Sequence, residues 1–370
     1  MTSPHRILIA CDKFKGSLDA PAACAAIARG LAIRYPDSII EQHPIADGGE
    51  GFAASLAGPL GGTWIEAEAH DALGRPIRTR YLLANSEDGP LAVMEMAEAS
   101  GMWRIHAQER DLPRSNTVGT GEMMRHAILV SGAKHLVIGI GGSATNDGGA
   151  GMAAALGWRF LSHDGSELEA SPAGLAQDLT SVDASHMINI PRVTVACDVT
   201  SPLLGSEGAT RMFGPQKGAD DRSIPMLETM LAALVRASGG EVNAARPGAG
   251  AAGGLGFGLL QFASAELVPG FDLVSELTGF EARMAAADLV VTGEGSLDAQ
   301  SLVGKGPVAI ARMARSHGKA VIAFCGKADP EVRESGLFDS IEELMATGLP
   351  LEILMTDAEQ LLEMMARGRP

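Results

Sequence analysis

What this chain lacks narrows it first. Aromatic side chains make up only 4% of the 370 residues, which suits a loop-rich α/β protein better than an all-β sandwich or a coiled coil. Basic tracts are missing: Lys and Arg number 29 against 45 Asp and Glu, a formal charge of −16. That balance argues against nucleic acid or an anionic membrane surface as partner, and an anionic small molecule would need locally placed Lys and Arg. The four cysteines show neither a CxxC pair nor metal-ligand spacing. Cys11, Cys197 and Cys325 each end an apolar strand, so buried thiols in a reducing cytoplasm are expected. Long apolar runs are also scarce. Ile7 to Cys11 is too short for a signal peptide. Gly248 to Ala265 carries no charge over 18 residues, a length at which a membrane span must be weighed. Six glycines and Gln261 within it point instead to a loop feeding a tightly packed helix.

Glycine is what the chain has in plenty, 46 residues, and its distribution follows an α/β pattern. Arg6 to Cys11 reads as a strand. A helix follows from Asp19, a plausible N-cap with Pro21 in the first turn, then a strand near Ser38 to Gln42. Beyond Gly58 the texture changes. Thr63 to Ala69, Ile77 to Leu83 and Leu91 to Met96 read as antiparallel strands joined by turn residues. A helix near Thr120 to Ser131, a strand His135 to Ile140, a helix near Ala150, a strand Val193 to Cys197 and a helix Leu227 to Ala237 follow. From Ala287 the β-α-β texture returns, with strands Leu289 to Val291 and Ala320 to Phe324 and helices near Pro307 to Ser316 and Ala358 to Ala366. The simplest account is a doubly wound parallel-sheet domain built from both chain ends, residues 1–60 and 280–370, with a second α/β domain inserted over residues 61–279.

Five strand-end loops share one character. They are Asp12 to Ser17; Ala46 to Gly51; Gly139 to Gly149; Cys197 to Ser201 together with Phe213 to Gly218; and Thr292 to Pro307. Each joins flexible backbone to an acid, and three carry a lysine. Ligands bind at the carboxyl ends of strands in such folds, where helix N-termini and free N–H groups point. Phosphoryl transfer needs this mixture: N–H groups and lysines for phosphate oxygens, carboxylates for Mg²⁺, and a further carboxylate for the acceptor's proton. A Walker A motif is absent, because the Gly-Lys steps at Lys305 and Lys327 and the near-step Gln216-Lys217 lack the earlier glycine and the following Ser/Thr. The protein-kinase loops are absent too. None of the nine histidines lies in these loops, so a histidine base is not expected. Two other readings compete. Gly139-x-Gly141-x-x-Ala144, with Asp164 some 20 residues on, matches a dinucleotide loop and would suit an NAD-dependent oxidoreductase. A non-catalytic small-anion binding protein is the other, though it would not need so many carboxylates.

The ordered set Asp12-Lys-Phe-Lys-Gly-Ser-Leu18, Ala46-Asp-Gly-Gly-Glu-Gly51, Gly141-Gly-Ser-Ala-Thr-Asn-Asp-Gly-Gly-Ala-Gly151, Ala196-Cys-Asp-Val199, Gly214-Pro-Gln-Lys-Gly-Ala219, Gly250-Ala-Ala-Gly-Gly-Leu-Gly-Phe-Gly258 and Thr292-Gly-Glu-Gly-Ser-Leu-Asp-Ala-Gln-Ser301 resembles the bacterial glycerate kinase family. Each motif is short, but together they span most of the chain in family order. The resemblance implies a flavodoxin-like domain with an inserted α/β domain and an active site in the cleft between them. It also implies ATP-dependent phosphorylation of D-glycerate, foremost at the 2-hydroxyl, with 3-phosphoglycerate as the other product known in the family.

Within that resemblance the residues take expected roles. Asp47, Asp198, Glu294 and Asp298 are the candidate catalytic acids, with Asp47 favoured to meet the glycerate hydroxyls or act as base. Lys13, Lys15, Ser17, Gly48, Gly49, Ser296 and Gln300 are expected to bind substrate. Gly141, Gly142, Ser143, Thr145, Asn146, Lys217 and Lys305 are expected to hold ATP phosphates, Lys217 neutralising the transferring group. Asp147, Asp198 and Glu294 are the candidate Mg²⁺ ligands. The reaction expected is direct in-line transfer without a phosphoenzyme. A homo-oligomer stays open.

Overall fold

The computed structural model describes residues 4–45, 49, 51–298, 301–303 and 306–368. The roles expected of Asp47, Gly48, Gln300 and Lys305 therefore lie outside the described residues. Contacts divide the chain into two compact units, Met1–Asp47 with Phe271–Pro370, and Gly48–Gly270. Among the described residues no helix is long and apolar enough to cross a membrane.

The unit formed from the chain ends holds a five-stranded parallel sheet in the order Ser340–Glu343, Ala320–Ala328, Leu289–Leu297, Arg6–Cys11, Ile39–Gln42. Counted along this unit, the order is 2-1-3-4-5, the flavodoxin-like arrangement. The first strand shows why both faces are covered. Ile7, Ile9 and Cys11 pack with helices Ala20–Arg34 and Ala358–Arg367, whereas Leu8 and Ala10 pack with Phe280, Met284 and helix Gly306–Ser316. Alternate residues of a strand face opposite sides, so a strand buried on both must be apolar throughout. Asp19 caps its helix as expected, accepting from Ala22 N at 2.8 Å. That helix crosses Ala358–Arg367 at Gly30, where an added Cβ would lie 2.2 Å from the Glu363 carbonyl. Arg29 pairs with Glu359 at 2.8 Å and Glu363 at 2.5 Å beside this crossing.

One strand is longer than the sequence suggests. Its apolar part ends at Val291, yet it runs Leu289–Leu297 and stays paired with its neighbour as far as Ala328. Glycines make the extension: a Cβ on Gly293 would meet Phe324 O at 2.1 Å, and one on Gly326 would meet Gly295 O at 2.4 Å. Glycine inside a strand marks such close backbone approach.

The second unit carries a six-stranded mixed sheet in the order Glu266–Val268, Arg192–Ala196, His135–Gly139, Gly89–Glu95, Pro76–Ser86, Thr63–His70. The last three strands form the expected antiparallel meander, and the first four run parallel. A small hairpin pairs Arg159–Leu161 with Ser181–Asp183. Helices Val118–Leu129 and Ala251–Phe262 cover one sheet face through Met123, Met124, Leu255 and Leu259.

The chain passes between units at 47/48 and 270/271, where its texture suggested 60 and 280. Helix Phe52–Leu60 explains the first difference. It packs on strands Pro76–Ser86 and Gly89–Glu95, and the buried Glu95 carboxylate accepts from Gly51 N at 3.1 Å and Ala53 N at 2.9 Å. Helix Gly270–Thr278 explains the second, because Phe271 packs with Leu8, Phe280 and Val290.

Candidate active site

In the chain-end unit the sheet order reverses between strands Arg6–Cys11 and Leu289–Leu297, and a crevice outside such a switch point is where open α/β sheets bind ligands. Two of the motif loops leave from these two strands. Asp12 to Leu18 folds as a tight turn: Phe14 N donates to Leu18 O at 2.9 Å, Ser17 N to Phe14 O at 2.8 Å, and Gly16 holds φ +79°. Asp12 N donates to Gly293 O at 2.8 Å. A Cβ on Gly295 would lie 3.1 Å from Lys15 N, so the two loops run against one another. Lys13 is half-buried and Lys15 exposed. Ser17, expected to meet substrate, donates its hydroxyl to Met355 O at 2.6 Å.

Glu294, Ser296 and Asp298 follow along the glycine-extended strand end, all partly buried. Ser301 joins two of them, donating to Glu294 Oε1 at 2.8 Å through its hydroxyl and to Asp298 Oδ1 at 3.0 Å through its N–H. The structure thus brings Lys13, Lys15, Glu294, Ser296 and Asp298 to one end of one sheet.

In the inserted unit, Glu95, the Gly139–Gly149 loop and Asp198 all follow neighbouring parallel strands at their carboxyl ends. Gly141 and Gly142 open the loop, Gly142 with φ +72°. Ser143, Thr145, Asn146 and Asp147 are buried. Lys217 reaches them from the turn Pro215–Lys217 and is itself 4% exposed, donating to Ser143 Oγ at 2.6 Å and to Thr145 O at 2.9 Å. Burial lowers the Lys217 ammonium from 10.5 to about 7, with Asp147 opposing the shift. Thr145 Oγ1 and Asn146 Oδ1 are buried without a hydrogen-bond partner among the described residues. Orphaned buried polar atoms of this kind need a partner that the described residues do not supply.

Asp147, the expected Mg²⁺ ligand, is engaged by Thr117 and within its own loop. Its carboxylate accepts from Thr117 N and Thr117 Oγ1, both at 2.7 Å, from Gly149 N at 3.0 Å and from Gly151 N at 3.1 Å. It thereby satisfies N–H groups at the starts of helices Val118–Leu129 and Ala150–Ala155, which have no partners within their own helices. Burial raises its pKa and these four bonds counter the rise. Asp198 Oδ1 likewise accepts from Gly270 N at 2.9 Å. Loop packing depends on Gly253, at φ +67°, where a Cβ would fall 1.8 Å from Thr145 O. Residues 252–254 are all left-handed inside the span Ala251–Phe262, which places the Gly250–Gly258 motif against the phosphate-loop candidates.

Glu95, Thr117 and Ser301 are not among the residues the sequence singles out for a role. Glu95 had one signal, a carboxylate closing the apolar run Leu91 to Met94. Thr117 had only its place before a helix, and Ser301 the last place of a motif.

The dinucleotide alternative fails on geometry. Helix Ala150–Ala155 starts well beyond Gly139-x-Gly141-x-x-Ala144, so the loop is too long for a turn that seats a pyrophosphate on a helix N-terminus. Asp164 is exposed in a tight turn, accepting from Ser162 Oγ at 2.6 Å and Ser166 N at 3.0 Å.

Glycine-rich loops with hydroxyls and a buried lysine in one α/β unit, and paired acids at the strand ends of the other, are the parts that small-molecule phosphotransferases use. Comparison with known proteins makes the class specific. The family model described as the glycerate kinase family matches residues 7–368. Glycerate kinase of Bacillus subtilis strain 168 is 40% identical, over 98% of this chain and 96% of its own. Glycerate 2-kinase of Escherichia coli strain K12 is 39% identical, over 88% of this chain and 86% of its own. A crystal structure described as that of a "putative glycerate kinase 2" from Salmonella typhimurium LT2 superposes with a TM-score of 0.85 at 38% identity, covering 98% of this chain and 96% of that one. The chain belongs to the glycerate kinase family, phosphotransferases with an alcohol group as acceptor. Neither the oxidoreductase nor the anion-binding alternative is supported by these relationships.

Proposed function

We propose that this protein transfers the γ-phosphoryl group of ATP to the 2-hydroxyl of D-glycerate, giving 2-phosphoglycerate and ADP. The observation that carries the reading is the 39% identity with a glycerate 2-kinase over 88% of the chain. In this reading the glycerate oxygen attacks the γ-phosphorus in line, the bond to ADP breaks, and the hydroxyl proton passes to a carboxylate. No phosphoenzyme forms. Lys217, Ser143 and the N–H groups of the Gly141–Gly149 loop hold phosphate oxygens, while Lys13 and Lys15 meet anionic oxygens of substrate or phosphate. Glu294 and Asp298 are the acids of the reaction. Asp147 and Asp198 keep loops and helix starts in place.

Mg²⁺ would supply charge neutralisation on the phosphate oxygens. Among the described residues no three His, Cys, Asp or Glu side chains are grouped as a metal site. A Mg²⁺ held by one or two carboxylates and by substrate phosphates needs no such group. The hard oxygens of Glu294 and Asp298, bridged by Ser301, suit that mode.

The test is a ³¹P NMR time course of the purified protein with Mg·ATP and D-glycerate. A phosphomonoester signal matching 2-phosphoglycerate is expected. A 3-phosphoglycerate signal would overturn the position of transfer, and unconsumed ATP would overturn glycerate as the acceptor.

A further inference from the structure

Ser301 was not among the residues expected to act, yet its surroundings single it out. It is 3% exposed and opens the turn Ser301–Val303. A hydroxyl has one proton to give and lone pairs to accept with. The distances decide where the proton goes: Glu294 Oε1 is 2.8 Å away, against 3.4 Å for Asp298 Oδ1 and 3.5 Å for Ser296 O. With the proton on Glu294, a lone pair takes the Asp298 N–H at 3.3 Å. The Ser301 N–H meanwhile is shared between Asp298 Oδ1 and the Asp298 carbonyl, both at 3.0 Å. One buried residue thus fixes an oxygen of each acid and the backbone between them.

Two carboxylates brought to one place repel, and the charged forms persist together only where donors or cations offset that repulsion. A neutral hydroxyl between them offsets part of it without adding charge that would compete for a phosphate or a metal ion. Positioning at the level of an ångström decides phosphoryl transfer, because the protein contributes little covalent chemistry. We propose that Ser301 is a positioning residue for phosphoryl transfer, setting the spacing of Glu294 and Asp298 through its hydroxyl and its N–H. This rests on the reading above that those two acids serve the reaction.

The test compares Ser301→Ala and Ser301→Thr with Glu294→Gln and Asp298→Asn in steady-state kinetics with ATP and D-glycerate, alongside thermal melting of each variant. Ser301→Ala is expected to lower kcat at least tenfold while KM for ATP changes less than threefold. Ser301→Thr, which keeps the hydroxyl, is expected to restore kcat to within threefold of the parent. Full turnover in Ser301→Ala would overturn the proposal. So would equal losses in the Ala and Thr variants at parental melting temperatures, since the hydroxyl would then be irrelevant. Failure of the underlying reading looks different: Glu294→Gln and Asp298→Asn would both turn over normally.

Discussion

The Lys217 ammonium lies 2.6 Å from Ser143 Oγ and 2.9 Å from the Thr145 carbonyl, inside the inserted unit and almost wholly out of water. Its carboxylate counterweight, Asp147, already accepts four hydrogen bonds. A charge so placed is costly until an anion arrives. Its pKa near 7 expresses that cost, and a bound triphosphate would reverse it.

ATP affinity should therefore weaken as pH rises from 6.5 to 8.5, because the ligand must draw a proton onto Lys217. Isothermal titration in two buffers of different ionisation enthalpy would show proton uptake on binding. Lys217→Met should abolish that uptake and lower kcat/KM by roughly 100-fold, the scale of losing a preorganised donor to a developing charge.

The same group has a signature in stability. Its ordinary value of 10.5 falls to about 7 in the folded chain, so between these values the unfolded chain binds more protons and stability rises with pH. Relative to Lys217→Met, the parent should gain on the order of a few kcal/mol between pH 7 and 10.5, read from urea midpoints. A constant difference across that range would show that Lys217 is not desolvated.

Gly253 offers a steric test. Gly253→Ala places a methyl 1.8 Å from Thr145 O at φ +67°, whereas Gly132→Ala has φ +68° with open space around it. The shared left-handed conformation costs roughly 1–2 kcal/mol in each. The added clash should bring Gly253→Ala to about 3–5 kcal/mol of destabilisation in denaturant titrations, with the excess over Gly132→Ala measuring loop contact.

Local signals explain what was legible in the sequence. Ile7 to Cys11 and Val290, Val291 read as buried strands because parallel strands covered on both faces must be apolar, and Asp19 read as a cap because its chemistry is local. The motif loops read as candidate ligand loops on equally local chemistry. What stayed hidden was tertiary. Nothing local shows that Asp147 caps two helix starts, or that Glu95 holds Gly51 and Ala53 from 42 to 44 residues away. The strand extension to Leu297 was concealed by the glycines that permit it, since glycine reads as a turn until its close neighbour is known.

His43 shows how a histidine outside every motif can still govern behaviour. It is 3% exposed, tilted against Phe280 with ring centroids 4.7 Å apart, with Nε2 2.8 Å from Thr278 Oγ1. The Thr278 hydroxyl gives its proton to Val274 O at 2.6 Å, so Nε2–H of the neutral ring donates to Thr278 Oγ1. Burial first, and the Arg283 charge second, lower its pKa from 6.5 to about 4, with Glu41 opposing. Between these values the unfolded chain binds the extra proton, so stability present above pH 6.5 is lost as pH falls to 4. The loss should approach about 3 kcal/mol. His43→Gln, which cannot titrate, should show a flatter midpoint-against-pH curve over that window. An unchanged slope would place the acid sensitivity in the carboxylates instead.

Asp147 and Asp298 separate framework from chemistry. Asp147→Asn turns one carboxylate oxygen into an N–H group facing donors, where four bonds had been accepted. A buried donor left unsatisfied costs about 1–3 kcal/mol, and several are affected, so a loss of roughly 3 kcal/mol or more is expected by urea titration. Asp298 is only partly buried, so Asp298→Asn should leave the urea midpoint nearly unchanged while kcat falls by about 100-fold or more, the range of general acid–base catalysis. If Asp147→Asn proved as stable as the parent and lost only turnover, Asp147 would belong with the reacting groups. If Asp298→Asn kept its turnover, the acid that receives the glycerate proton would have to be sought elsewhere.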